Sequence, residues 1–425
     1  MKRTISILIT SLVSLGIVQG QTMTLAECHA SAIEHNHTLK NSRFEVDAAT
    51  QVRKEAFTNY FPQISANGGA FQASHGILQA DLSIPDMGTL PISLVKKGYT
   101  ASVMAVQPVF TGFKIVNANK LARLGEDVAT LQLRKSESEV REQTETYFWQ
   151  VVQLKENLST LDAVKTQLNE IYRQVELAVK TGITTKNDLL RVELRQQEVA
   201  SQRLKLENGL KVSLMLLANH IGVARNGFDI NYNDTTVVEP THYYLPTEEA
   251  IDRRTEYQLS EKSLEAHKYQ TRIKRADYLP TVGIGAGYLH YDVMDKDVGE
   301  GVMFAQVSIP LSGWWGGSHA LKKARIQEKQ AENDRLHARD MLALDIEKSW
   351  GDLCEAYAQI TLAERSVVSS AENLRQNSHS YKAGIIPLSD LLDAETLNAQ
   401  SMNNLTSVKA AYRTAIAKYL RATGR

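Results

Sequence analysis

The side chains with the widest chemical scope are few. His29, His35 and His37 cluster beside Cys28. Imidazole and thiolate are good metal ligands when a fold aims several at one point. Here two histidines are separated by six residues and two by two, a spacing that a helix does not converge. No metal site is therefore expected. Cys28 and Cys354 are the only cysteines, too few for a disulfide framework, and free, packed thiols are expected. A Gly-rich phosphate loop, Gly-x-Ser-x-Gly and His-Glu-x-x-His are all missing from the sequence. A hydrolase hidden in the loops would need paired carboxylates, for which no spacing speaks. The expectation is a protein that is no enzyme and carries no cofactor. Aspartates do recur in one pattern. Asp188-Leu189-Leu190 and Asp390-Leu391-Leu392 each follow a Lys-x-Gly-Ile turn, where an acidic residue suits the start of a helix.

The elements that would position these residues follow from composition. The 425 residues are 43% hydrophobic, with 48 basic and 48 acidic side chains, a balance that excludes a strongly basic nucleic-acid binder and argues against disorder. No proline lies between 109 and 239 or between 311 and 386, gaps of 131 and 76 residues that permit very long helices. Residues 1–20 combine Lys2 and Arg3 with an apolar run ending at Val18-Gln19-Gly20, the pattern of a cleaved secretory signal. No later run approaches the roughly 20 apolar residues of a membrane helix. If the chain enters a membrane, it must do so as strands.

The sequence is written twice. Tyr60-Phe61-Pro62 recurs as Tyr278-Leu279-Pro280, and Phe110-Thr111-Gly112-Phe113 as Leu311-Ser312-Gly313-Trp314. Lys180-Thr181-Gly182-Ile183 recurs as Lys382-Ala383-Gly384-Ile385. The offsets are 218, 201 and 202, the first enlarged by a longer loop around 76–98. A first repeat at 21–222 and a second at 247–425 are expected, joined by a linker at 223–246. Each begins with a lead-in helix (24–59, then 247–277). Strand pairs follow at 63–75 with 99–110, and at 281–291 with 302–311. Long helix hairpins then span 114–222 and 319–422. Three–four apolar spacing (Val151, Leu154, Leu158, Leu161; Ile346, Trp350, Leu353, Tyr357) marks coiled-coil seams, and a helix over 114–180 would measure roughly 100 Å at 1.5 Å per residue.

The strands alternate with period two. Val282, Ile284, Ala286 and Tyr288 share one face, Gly283, Gly285 and Gly287 the other. Met303, Ala305 and Val307 face away from Gln306 and Ser308. Such alternation fits a barrel strand in a membrane, apolar out and small or polar in, and equally a half-buried soluble hairpin. Four strands cannot close a barrel, and an open edge has no partners in lipid. Insertion would thus require several chains to share one barrel. Three chains with twelve strands form the smallest ring expected to leave a hole. Trp314 and Trp315, where a strand becomes a helix, suit an aromatic belt at the inner lipid boundary, or ordinary core packing.

With Thr24-Leu25-Ala26-Glu27-Cys28 and Asn36 to Lys40 at the first helix, both Tyr-x-Pro junctions and both Lys-x-Gly-Ile…Asp-Leu-Leu turns, the chain resembles the TolC-like outer-membrane efflux family over essentially its whole mature length. The resemblance implies a mainly α fold with a small β part. Long helices would form a trimeric α-barrel in the periplasm, below a shared twelve-stranded β-barrel in the outer-membrane lipid. It implies a homotrimeric exit duct that takes substrate from an inner-membrane pump, of resistance–nodulation or ABC type, through a periplasmic adaptor (membrane fusion protein). Nucleic acid is not an expected partner. The resemblance places Gly182, Ile183, Gly384 and Ile385 at the tip turns where the adaptor docks, and Asp390 and Asp393 in an acidic ring lining the pore constriction. Tyr381 and Asp188 match members of the family's closing latch. The latch arginine is replaced by Ile386, so an apolar constriction is expected there. A soluble periplasmic coiled-coil scaffold without a pore is the competing expectation.

Overall fold

A computed structural model describes residues 22–74, 79–84, 88–93, 97–232, 236–293 and 296–425; the expected signal segment 1–20 lies outside them. In chain order the elements are β1 (Thr22–Met23), α1 (Leu25–His35), α2 (His37–Thr58), β2 (Gln63–Gln72), β3 (Gln79–Ile84), β4 (Gly88–Ser93) and β5 (Lys97–Phe110). Then come α3 (Lys114–Lys180), α4 (Lys186–Ile221), β6 (Asp229–Ile230), a 3-10 turn (Pro240–Tyr243), α5 (Thr247–Arg253) and α6 (Thr255–Ala276). The chain ends with β7 (Thr281–Val293), β8 (Lys296–Ser308), α7 (Gly313–Lys382) and α8 (Leu388–Ala422). The proline-free gaps become α3 and α7, of 67 and 70 residues. No described helix is long and apolar enough to cross a membrane.

The chain divides into two compact units. Within the described residues, Ser42–Arg134 with Thr255–Met341 forms one, and residues 22–41, Lys135–Arg254 and Leu342–Arg425 form the other. Each takes segments from both halves of the sequence.

The first unit carries a four-stranded antiparallel sheet in the order β2-β5-β7-β8. Its register gathers the alternating residues of all four strands. One row reads Ile64, Ala105, Ala286 and Met303, and the next Ala66, Val103 and Tyr288. The opposite face carries Ser65, Ser102, Gln306 and the glycines of β7. Those glycines make room for neighbouring side chains. A Cβ on Gly285 would stand 2.4 Å from the Phe304 ring, and one on Gly287 would stand 2.5 Å from the Val103 carbonyl oxygen. Because the second contact is with backbone, Gly287→Val is expected to destabilise the β5–β7 pair by about 1–3 kcal/mol. Gly283→Ala, whose nearest contact would be an ordinary 3.5 Å, should be tolerated. The folded fraction after extraction, read by heat-modifiable electrophoretic mobility, checks both.

The second unit is helical. Leu161, Val164, Leu168, Ile171 and Val175 of α3 pack with Val192 and Val199 of α4 and with Leu388, Leu391 and Ala399 of α8. Of the expected seam residues, Leu161 joins this core, while Val151, Ile346 and Leu353 are buried outside it. Met23 and Ile230 pair where β1 lies parallel to β6.

Three local expectations need correction. The lead-in helix at 24–59 is broken at Asn36, whose Oδ1 accepts from the Thr38 backbone N–H at 2.8 Å while its amide donates to the His220 carbonyl at 2.9 Å. This side chain ends α1 and restarts α2. The helix at 247–277 is likewise broken at Arg254, a buried residue whose guanidinium reaches Asp345 at 3.1 Å. The longer loop around 76–98, partly outside the described residues, contains the antiparallel hairpin β3–β4. In addition, α7 starts at Gly313 and not at 319. Gly317 lies against the Tyr278 ring, where an added Cβ would sit 2.9 Å away, so a side chain that close would not fit.

Candidate functional site

The helical unit ends in two turns built alike. In the first, Ile183 N–H donates to Ala178 O at 2.8 Å and Gly182 N–H to Val179 O at 3.1 Å. In the second, Ile385 N–H donates to Ser380 O at 2.9 Å and Gly384 N–H to Tyr381 O at 2.9 Å. This bond pair is a Schellman termination, which needs a left-handed residue before its last donor. Gly182 and Gly384 supply it, at φ 76° and 72°. The residue after the glycine commonly packs back on the helix. Ala178 and Ser380 are too small to hold it here, and Ile183 and Ile385 stand 81% and 75% exposed. Each turn thus presents one bare isoleucine.

Asp188 is half-buried and turned into its own loop. Its Oδ2 accepts from Thr184 Oγ1 at 2.5 Å and from Thr185 Oγ1 at 3.2 Å. Tyr381 of the other turn packs against the apolar core. Burial raises its phenol pKa, and the nearby Asp188 carboxylate raises it further, so the structure brings these two together from opposite halves of the sequence. Ile386, two residues after Gly384, is half-buried. Asp390 and Asp393 are both exposed. The cap residue of α8 is Pro387, which makes no side-chain cap bond. Asp390 accepts only from Ser389 Oγ, at 3.1 Å, and leaves its charge outward in the first helical turn.

Sequence reasoning missed two polar groups in this unit. Arg195 and Glu395 face one another inside the seam at 3.3 Å. Glu145, on α3, lies 3.7 Å from His29 Nε2, and burial pushes its carboxyl up to about 7 against the opposing pull of Trp149 and Arg413. Both pairs join residues over a hundred positions apart, a proximity that helical periodicity alone does not reveal. His35 Nδ1 meets Ser31 O at 3.2 Å, so two of the clustered histidines have separate partners. Among the described residues no group of three or more His, Cys, Asp or Glu could hold a metal ion. Both cysteines are free, and burial pushes the Cys28 thiol up to about 12.

The sheet of the other unit leaves its apolar face bare. Met303 is 90% exposed, and Ile64, Val103, Ile284, Tyr288 and Val307 are exposed too. At one end this face meets Tyr99, His290 and Asp297, with His290 Nε2 and Asp297 Oδ1 2.9 Å apart. At the other end, where strands become helices, aromatics collect. Phe57 stacks edge-on with Tyr60 and Phe61, and Phe110 with Phe113, at ring separations of 5.5–5.6 Å. Trp314 donates its indole N–H to Tyr278 O at 3.0 Å and stays exposed, as does Trp315. Bare apolar rows bounded by polar and aromatic groups match a surface meant for hydrocarbon. Within the described residues of this chain, the outer edges of β2 and β8 have no strand partner.

The sequence matches the family model described as "Outer membrane efflux protein" over residues 29–223 and 247–425. No curated protein matches it. Solved structures with the same fold include the outer-membrane channel OprN, at 14% identity and TM-score 0.79, with 94% of this chain and 89% of that chain covered. The outer membrane protein VceC of Vibrio cholerae aligns at 15% identity and TM-score 0.77, covering 94% of this chain and 96% of that one. The Campylobacter jejuni CmeC outer membrane channel aligns at 14% identity and TM-score 0.77, covering 100% and 94%.

Proposed function

The chain belongs to the outer membrane efflux protein family, a protein of the outer membrane with its helical part in the periplasm, and from that premise we propose that it is a passive exit duct. Three copies would join their sheets edge to edge into one twelve-stranded barrel, continued by the long helices as an α-barrel. The observation that carries this reading is the four-stranded sheet with one bare apolar face and two unpaired outer edges. In hydrocarbon those edges must find partners, and further copies supply them. A row of exposed apolar residues on α4 (Leu190, Leu194, Leu204, Val212 and Leu216) offers the helices a matching contact. The tandem repeat then has a simple meaning: each half contributes one strand pair and one helix hairpin.

On this reading the driving energy comes from an inner-membrane pump, with substrate passed through a periplasmic adaptor. The exposed Ile183 and Ile385 at the Schellman turns are the apolar knobs that adaptor would grip. Trp314, Trp315 and the neighbouring phenylalanines would mark the inner lipid boundary. Tyr381, Asp188 and Ile386 pack the constriction from the side, and the outward Asp390 and Asp393, repeated around a symmetry axis, line it with negative charge. Crowded carboxylates attract cations and repel anions. In planar bilayers the purified protein should form pores, and Asp390→Ala with Asp393→Ala should lower the cation-to-anion permeability ratio by about two-fold or more. Unchanged selectivity would remove the acidic ring, and a water-soluble monomer without conductance would favour the scaffold.

A further inference from the structure

The contact between α4 and α8 contains a charged pair where apolar residues would hold better. Glu395 is 1% exposed, the most fully covered carboxylate among the described residues, on the side of α8 that also buries Leu388, Leu391 and Ala399. Across from it, Arg195 lies between the buried Val192 and Val199 of α4. Arg195 Nε and Nη2 both reach Glu395 Oε2, at 3.4 and 3.3 Å, while Nη1 turns outward to Glu198 at 3.1 Å. Glu395 Oε1 is buried without a hydrogen-bond partner. Burial raises the Glu395 pKa and Arg195 opposes it, so desolvation outweighs the attraction. A buried ion pair with long bonds and an unsatisfied oxygen typically contributes less than well-packed apolar side chains of the same volume. The pair sits roughly two turns into α8, close to the tip turn.

We infer that the Arg195–Glu395 pair is a built-in weak point of the α4–α8 seam, the place where the two hairpins part when the tip rearranges. This deepens the duct reading by adding regulation, although the seam itself is a property of the single chain. Its logic has two sides. Removing one partner leaves the other charge buried and loosens the seam further. Removing both, with apolar residues of similar volume, closes it.

Amide hydrogen exchange at 181–187 and 383–390, measured on the full-length protein in detergent, tests this directly. Arg195→Met combined with Glu395→Leu is expected to slow exchange at both turns by about ten-fold or more. Glu395→Gln alone should speed it. A double variant that folds but exchanges as fast as the parent, or faster, overturns the inference. So does one that fails to fold, since the pair would then be holding the seam. In bilayers the same double variant should spend less time open. If the parent protein does not conduct, the duct reading fails while the exchange comparison still decides the seam.

Discussion

Arginine at Met303 is expected to abolish stable insertion, whereas arginine at Ser102 leaves insertion intact. Met303 is in the row Ile64, Ala105, Ala286, Met303, near the middle of the ladder and on the bare apolar face. Ser102 pairs with Asn67 and Leu289 on the other face. A lipid-facing arginine at the midplane of a barrel costs about 2–4 kcal/mol per copy, and a wall shared by several copies bears that cost in each. A lumen-facing arginine stays in water. The assay is membrane fractionation with heat-modifiable mobility for Met303→Arg and Ser102→Arg, alongside single-channel conductance. Met303→Arg should leave little folded membrane protein, and Ser102→Arg should fold normally and shift conductance. Equal behaviour would show that the two faces do not have the environments assigned to them.

This contrast was legible in the sequence because strand chemistry is local. Alternation at 282–288 and 303–307 assigns faces without knowledge of any partner, and the Tyr-x-Pro pairs mark where the lead-in helices stop. The long helices were equally legible from the missing prolines. What escaped were features made by distant contacts. Asn36 reads as an ordinary helical residue until His220 accepts its amide. Glu395 reads as a solvated charge until α4 covers it with Arg195. The β3–β4 hairpin has no companion among the described residues of the second half, so the internal repeat does not flag it. The tip was partly legible: glycine at a left-handed turn follows from the motif, while the outward set of Ile183 and Ile385 depends on the small residues beneath them.

Glu145 is expected to give the helical unit a pH-dependent stability with an unusual sign. Its carboxyl is raised from 4.5 to about 7, first by burial, with Trp149 and Arg413 lowering it and Glu142 raising it. The folded chain therefore keeps a proton that the unfolded chain releases. The contribution of this group is fullest below about 4.5, declines as pH rises toward 7, and is flat beyond. A shift of that size corresponds to about 3 kcal/mol. His29 acts in the opposite direction, because burial first, and Arg141 second, lower its pKa and favour the neutral ring. Glu145→Gln should remove the decline and raise stability at pH 8, read as the denaturation midpoint of helical circular dichroism between pH 5 and 8. A variant whose midpoint follows the parent's across that range would contradict the assignment.

The strand order β2-β5-β7-β8 has a consequence of parity. Four strands alternating up and down bring the chain back to its starting direction, so in the proposed assembly β8 of one copy would meet β2 of the next in the antiparallel sense. Any whole number of copies would satisfy that rule, and the sheet by itself does not count them. On that reading the tally of subunits would be set by the angle at which helices of adjoining copies nest.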